Sequence, residues 1–419
     1  MMSMNKLRTL TLLFVILIAT FGCRPTAPAI TAPAPEPSWD QAFSRSSGWN
    51  GGDVAASIQI PGNRVLWLFG DSFIGAAPGN RRVDSNLVNN AIAIHPFNPA
   101  DPARPPAPDQ LAFYWGPPDR AGKPTAWVRP PRPTGRAAET WYWPTGGAVV
   151  SPGPEHPRLA VFLIRLQKKI GADGVWGFDC IGSAMAVIDA ADAPAETWRP
   201  RVLALPHDLR RPGSPGEEID WGVAARYEPE ASAAGATPPA AAPAAGETGW
   251  VYIYGARSDP DQRRDLLLAR VRPADLDDFA DWEFWAAGKW AAKPDQATPV
   301  VTDVASELSV DRVEAKGGTG GGNGAYYLMV SSESFLGDHI LARTALRLTG
   351  PWSAPQEVFQ IPGVGGNRFA YAAKGHLALS PPGAVLCSYI VNSNDLADLQ
   401  NPDLYRPRFI LIPLPVPAP

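Results

Sequence analysis

Val65-Leu-Trp-Leu-Phe-Gly-Asp71-Ser72 is an apolar run rich in β-forming residues that ends in a small polar cluster. A second apolar run, Asn90-Ala-Ile-Ala-Ile-His95, follows it. The same pairing recurs four times. Leu159-Ala-Val-Phe-Leu-Ile-Arg165 is followed by Ser183-Ala-Met-Ala-Val-Ile188, and Trp250-Val-Tyr-Ile-Tyr-Gly-Ala-Arg257 by Leu266-Leu-Leu-Ala-Arg-Val271. Tyr326-Tyr-Leu-Met-Val-Ser-Ser-Glu333 is followed by His339-Ile-Leu-Ala-Arg-Thr-Ala-Leu346, and Val385-Leu-Cys-Ser-Tyr-Ile-Val-Asn392 by Arg408-Phe-Ile-Leu-Ile412. Each pair reads as two neighbouring strands of one sheet. Five such units predict an all-β chain folded as a five-bladed β-propeller, with polar residues at the starts of its inner strands facing a common axis.

Composition agrees with one large radial β-domain. The chain has 419 residues, and its 47 prolines and 39 glycines are scattered so that they punctuate many short strands. Fifteen tryptophans suit either packing between blades or stacking on sugars. A net charge of −4 and the lack of a basic run exclude nucleic acid as the expected partner. No cysteine–histidine spacing suits zinc, and there is no phosphate loop, Gly-x-Ser-x-Gly elbow or His-Glu-x-x-His motif. No cofactor is required, and a structural calcium ion in the funnel is compatible with the sequence but not demanded by it.

Residues 1–23 read as an export signal: Lys6 and Arg8 lead an apolar stretch, Leu10 to Ile18, too short to span a membrane. Gly22-Cys23 resembles the end of a bacterial lipobox, although Thr20 stands where leucine is usual. Cys23 is therefore expected to carry lipid, placing a monomeric protein in the periplasm or on the cell surface, with the lipid as its one membrane contact. Residues 24–46 read as a Pro/Ala-rich spacer, and the propeller as 47–415. The blades are expected near 48–116, 141–205, 219–290, 305–360 and 369–413, with a disordered insert at 230–246. The fifth blade lacks a fourth strand after Ile412. Either the segment near Trp39 to Phe43 closes the ring or that blade has three strands. Cys180 and Cys387 fall in units that are not adjacent, so buried free thiols are favoured over a bridge.

Asp53, Asp220 and Glu307 stand at or near the starts of inner strands, and His376 is assigned the equivalent place in the fifth unit. Asp71 ends a strongly apolar strand. Carboxylates are costly to bury unless paired or hydrogen-bonded, and two of them at one funnel are what glycoside hydrolysis needs. Each also has a plainer reading: Asp53 as a turn residue after Gly51-Gly52, Asp71 as an Asx-turn brace, Asp220 as a strand cap and Glu307 as a solvated loop residue. Trp143, Trp221, Asn90, His376, Arg312 and Lys374 are candidates for binding a polysaccharide or oligosaccharide. Blade packing competes for the two tryptophans, a backbone bond for Asn90 and a satisfied core position for His376.

The stretch Ser57-Ile-Gln-Ile-Pro-Gly-Asn-Arg-Val-Leu-Trp-Leu-Phe-Gly-Asp71-Ser-Phe-Ile-Gly75 resembles the opening blade of bacterial secreted five-bladed propellers catalogued as domains of unknown function. So do Trp250-Val-Tyr-Ile-Tyr-Gly255 and Ser388-Tyr-Ile-Val-Asn392 with Tyr405-Arg-Pro-Arg-Phe409. That group includes endo-D-arabinanases and is similar in fold to the arabinanase and β-xylosidase propellers of glycoside hydrolase family 43. The resemblance implies hydrolysis of a furanoside or related glycan by two carboxylates. By position Asp53 and Asp71 match first, and Asp220 or Glu307 next. A surface lipoprotein that binds glycan without cutting it, or a protein-interaction propeller, is the alternative.

Overall fold

The computed structural model describes residues 32–131, 138–151, 157–169, 176–208, 218–230, 249–259, 263–314 and 325–414. The export signal with Cys23, nearly all of the 230–246 insert and the glycine-rich Gly317 to Gly324 lie outside the described residues.

The apolar runs become the central strands of antiparallel sheets whose strand order follows the chain. The first sheet is Ala56–Ile60, Arg64–Phe69, Ala91–Pro96 and Ala112–Tyr114, and the second is Thr140–Val150, Arg158–Lys168, Phe178–Ile188 and Arg201–Ala204. The third comprises Glu218–Pro229, Gly249–Ser258, Arg264–Val271, Glu283–Ala286 and Lys289–Ala291, with Val301–Thr302 also pairing on Arg264–Val271. The fourth is Leu308–Glu314, Ala325–Ser332, His339–Ala345 and Gln356–Gln360. The fifth is Arg368–Gly375, Ala384–Ser393 and Pro407–Pro413, joined at its edge by Ala34–Pro35. A small sheet of Ser47–Gly52, Ser72–Ala76 and Val83–Val88 is built from excursions of the first unit.

Each central strand carries an apolar run because both of its faces are covered there, and the period of two divides its side chains between two neighbours. Leu66 and Leu68 pack on Leu159, Val161 and Leu163 of the second sheet, whereas Trp67 and Phe69 pack on Leu386, Ile390 and Phe409 of the fifth. Similar cores join Phe162 to Ile219 and Ile253, Tyr254 to Val310 and Met329, and Leu328 to Val385 and Ile410. The packing is thus cyclic, each sheet against the next and the last against the first, which is the architecture of an all-β propeller.

The seam departs from the expected spacer. Ala34 pairs with Leu411 and Pro35 with Ile410, closing an edge that would otherwise be open. Pro37–Ala42 forms a helix that buries Trp39 against Trp67 and Phe409. Asp40 accepts from Arg408 and from the Phe409 amide. Residues 34–46 therefore belong to the folded body rather than to a spacer, because two large side chains of the segment, Trp39 and Phe43, have a hydrophobic core waiting for them. Cys180 and Cys387 lie in different sheets, and neither forms a disulfide among the described residues.

Candidate active site

Around Asp53 the backbone is strained. Val54 (φ 68°) and Ala55 (φ 47°) follow it directly, Ala372 (φ 55°) follows Tyr371, and Tyr405 itself has φ 58°. Non-glycine residues seldom occupy this left-handed region, least of all a β-branched valine. At the same level the fifth inner strand shifts register between Tyr371 and Lys374, and the third between Trp221 and Ala224, where Gly222 has φ 92°. Irregularities of this kind re-aim side chains at the rim of a sheet.

The strained residues converge on one carboxyl. Asp53 Oδ2 accepts from the Tyr371 hydroxyl at 2.8 Å and from the Tyr405 hydroxyl at 3.0 Å. Asn392 Nδ2 donates in turn to the Tyr371 oxygen at 3.1 Å. Asp53 Oδ1 lies over Gly70, where a β-carbon would come within 2.3 Å of it. The residue before Asp71 must be glycine for the two aspartates to approach. Asp71 Oδ1 accepts from Trp143 Nε1 at 2.7 Å and from Asn89 Nδ2 at 3.2 Å. Glu307 forms an ion pair with Lys374, whose own side chain is almost completely buried.

Burial, then the charges of Asp71 and Glu307, push the Asp53 carboxyl up to about 8, against the pull of the two tyrosine hydrogen bonds. Burial pushes Asp71 up to about 6, opposed by its bonds from Trp143 and Asn89. The aspartates act on each other, so their protons belong to the pair. At neutral pH the arrangement holds a proton on Asp53 and a negative charge on Asp71. One group can then donate a proton while the other acts as a base or nucleophile.

Several sequence candidates do not reach this site. His376 follows the end of strand Arg368–Gly375 rather than starting it. It is buried against Trp67, with both ring nitrogens bonded at 2.8 Å, to Ser57 and Ser388, and burial lowers its pKa to about 3. Trp221 is wholly buried and donates to the His207 carbonyl. Asn90 is buried between the backbones of Val128 and Tyr142, with both ends of its amide used. These three are core residues, satisfied internally and closed to a ligand. Arg312 lies five residues along from Glu307 and faces Glu228 and Glu314. Asp220 accepts from Cys180 Sγ at 3.3 Å and lies in the field of Arg264, apart from the Asp53 contacts.

Sequence reading missed other residues. Tyr371 and Tyr405 read as ordinary strand and loop residues, and nothing local marks them as partners of a residue over 300 positions away. An arc of rings also runs from the donor of Asp53 to the donor of Asp71. Tyr371 stacks on Phe369 (5.8 Å), Phe369 meets Trp176 (6.1 Å), Trp176 meets Phe178 (6.3 Å), and Phe178 meets Trp143 edge-on (4.9 Å). Phe335 joins it at Trp176 (5.7 Å). Trp176 is 47% exposed and Phe335 40%, so the arc offers open aromatic surface. Among the described residues Glu333, Asp338 and His339 bring three potential metal donors within 4.8 Å of one another, but they are partly exposed and the histidine pairs with both acids.

The family model described as Domain of unknown function (DUF5005) matches residues 36–413. The chain belongs to this family. No curated protein matches it in sequence. Among solved structures, one from Bacteroides ovatus ATCC 8483, whose assignment as a hydrolase is provisional, superposes with a TM-score of 0.63 at 17% identity, covering 91% of this chain and 90% of that one. An exo-β-1,3-galactanase from Phanerochaete chrysosporium gives 0.41 at 11% identity, covering 92% of this chain and 64% of that one. A GH62 α-L-arabinofuranosidase from Coprinopsis cinerea gives 0.38 at 11%, covering 91% and 93%. At these identities the first likeness concerns the fold of this DUF5005 member, and the other two carry no argument.

Proposed function

We propose that this chain is a glycoside hydrolase with a five-bladed propeller fold, acting on an extracellular polysaccharide, with an arabinan-like furanoside glycan as the favoured substrate. The observation that carries the reading is the Asp53 carboxyl, crowded by Asp71 and Glu307 and pushed up to about 8, beside an Asp71 at about 6. In the reaction Asp53 donates its proton to the leaving glycosidic oxygen. Asp71, oriented by Trp143 and Asn89, attacks the anomeric carbon or activates a water for that attack. Tyr371 and Tyr405 fix the Asp53 carboxyl, and Lys374 pairs with Glu307 so that the site does not hold a second uncompensated negative charge beside Asp71. The open aromatic arc gives the apolar faces of sugar rings a surface to stack on. The leader and Gly22-Cys23 support a lipid-anchored, exported protein, whose substrate would be met outside the cytoplasm.

The test is an assay of the mature chain on arabinan, arabinogalactan and xylan, with Asp53→Asn and Asp71→Asn as controls. The reading expects turnover on one of these glycans and a loss of roughly 10²–10⁴ in each variant. Binding of a glycan without turnover would identify a non-catalytic glycan-binding protein, and turnover unchanged in Asp53→Asn would remove that residue from its role.

A further inference from the structure

A cleft of about 280 Å³ opens between the end of the small sheet's strand Val83–Val88 and the start of the second sheet's strand Thr140–Val150, next to the Asn89 that bonds Asp71. Its walls come from Leu87 to Asn89, from the loop carrying Pro124 and Arg129, and from Glu139 to Trp141. Two of these residues connect it directly to Asp71. Asn89 lines the cleft and donates to Asp71 Oδ1. Trp141 lines it and packs edge-on against Trp143, whose indole donates to the same oxygen. Trp141 Nε1 is itself buried and has no hydrogen-bond partner among the described residues, an unusual state for a buried donor. At the rim Leu87 is 53% exposed. Arg129, Glu139 and Thr140 add polar groups around it.

We propose that this cleft is a carbohydrate subsite, holding the continuing chain of the glycan whose scissile bond lies at Asp53 and Asp71; the proposal rests on the hydrolase reading of that pair. The chemistry suits a sugar. An indole wall and an aliphatic rim face the C–H surface of a ring, while an amide and charged groups meet its hydroxyls. The volume lies near the lower end of small-ligand sites, which span about 300–1,000 Å³. It takes one or two sugar units and is too small for a folded partner. Asn89 itself, and Trp141 through its contact with Trp143, tie the cleft wall to the groups that hold Asp71.

The test uses ladders of linear arabino-, galacto- and xylo-oligosaccharides on the full mature chain. Turnover is measured in the wild type and binding, by calorimetry, in Asp53→Asn. Efficiency or affinity is expected to rise roughly three- to tenfold once the oligomer is long enough to enter the cleft. That length gain is expected to collapse when Leu87→Trp crowds the rim and to weaken in Trp141→Ala, which removes the indole wall. Leu346→Ser, exposed in the chain segment after the fourth sheet's third strand, should keep the wild-type length gain. A length gain that survives Leu87→Trp, or its absence from all three ladders, overturns the proposal. If no ladder is cleaved but binding to Asp53→Asn still shows a length gain that Leu87→Trp abolishes, the hydrolase reading fails while the carbohydrate subsite stands.

Discussion

Asp53 and His376 look alike in sequence, each an ionisable residue beside an inner strand, and the fold treats them in opposite ways. His376 lies between Ser57 and Ser388, and both ring nitrogens are satisfied. Its low pKa keeps it neutral, so it packs on Trp67 as a polar core residue. Asp53 is also crowded by protein, but its neighbours include Asp71 and Glu307, and the chain around it runs through left-handed backbone at Val54, Ala55, Ala372 and Tyr405. Burial alone therefore does not mark a site. Burial joined to like charge and backbone strain does, because a fold keeps such an arrangement only where the surrounding structure enforces it.

The comparison can be broken from either side. The largest effect belongs to Asp53→Asn, expected to lower turnover by about 10²–10⁴ with little change in KM. His376→Ala should do the reverse. It empties a core position and strands two serine hydroxyls, so about 2–4 kcal/mol of stability is lost while turnover per folded molecule is kept; thermal unfolding and active-site-normalised rates separate the two. A smaller effect is expected in Asn89→Ala and Trp143→Phe, which remove hydrogen bonds that lower the Asp71 pKa. The acid limb of the pH–rate profile, near 6 in the wild type, should move to higher pH in both variants.

A further effect is on stability. The folded Asp53 pKa of about 8 is above its unfolded value, so between about 4 and 8 the folded chain holds a proton that the unfolded chain has lost. Its contribution is fully present below about 4 and declines as pH rises to 8. Asp53→Asn, which cannot ionise, should therefore gain in Tm relative to wild type as pH rises through that window, by about 2 °C or more at the top.

Much of the fold was legible because strand signals are local. Arg64–Phe69, Ala91–Pro96 and their counterparts all coincide with the quoted apolar runs. The seam was legible only in part: the segment near Trp39 to Phe43 was one of two expected closures and does pack on Phe409, but the strand that pairs is Ala34–Pro35, two residues of a proline-rich stretch with no periodicity. The site was half legible. Asp53 and Asp71 stand out as carboxylates around an apolar strand, and Glu307 as one before an inner strand. Positive φ at valine, alanine and tyrosine leaves no trace in the sequence, since the residues that usually signal it are glycine and asparagine. His376 follows the end of strand Arg368–Gly375, so it stands at the opposite end of the inner strand from the start assigned to it.

The central claim is that Asp53 carries a proton at neutral pH opposite an ionised Asp71. Infrared difference spectra of wild type against Asp53→Asn, recorded from pH 4 to pH 9, test it directly through the carboxylic C=O stretch. A protonated band assigned to Asp53 that persists at pH 7 and disappears with a midpoint near 8 is the predicted result. A band already lost by about pH 5, the behaviour of an ordinary aspartate, would contradict the account.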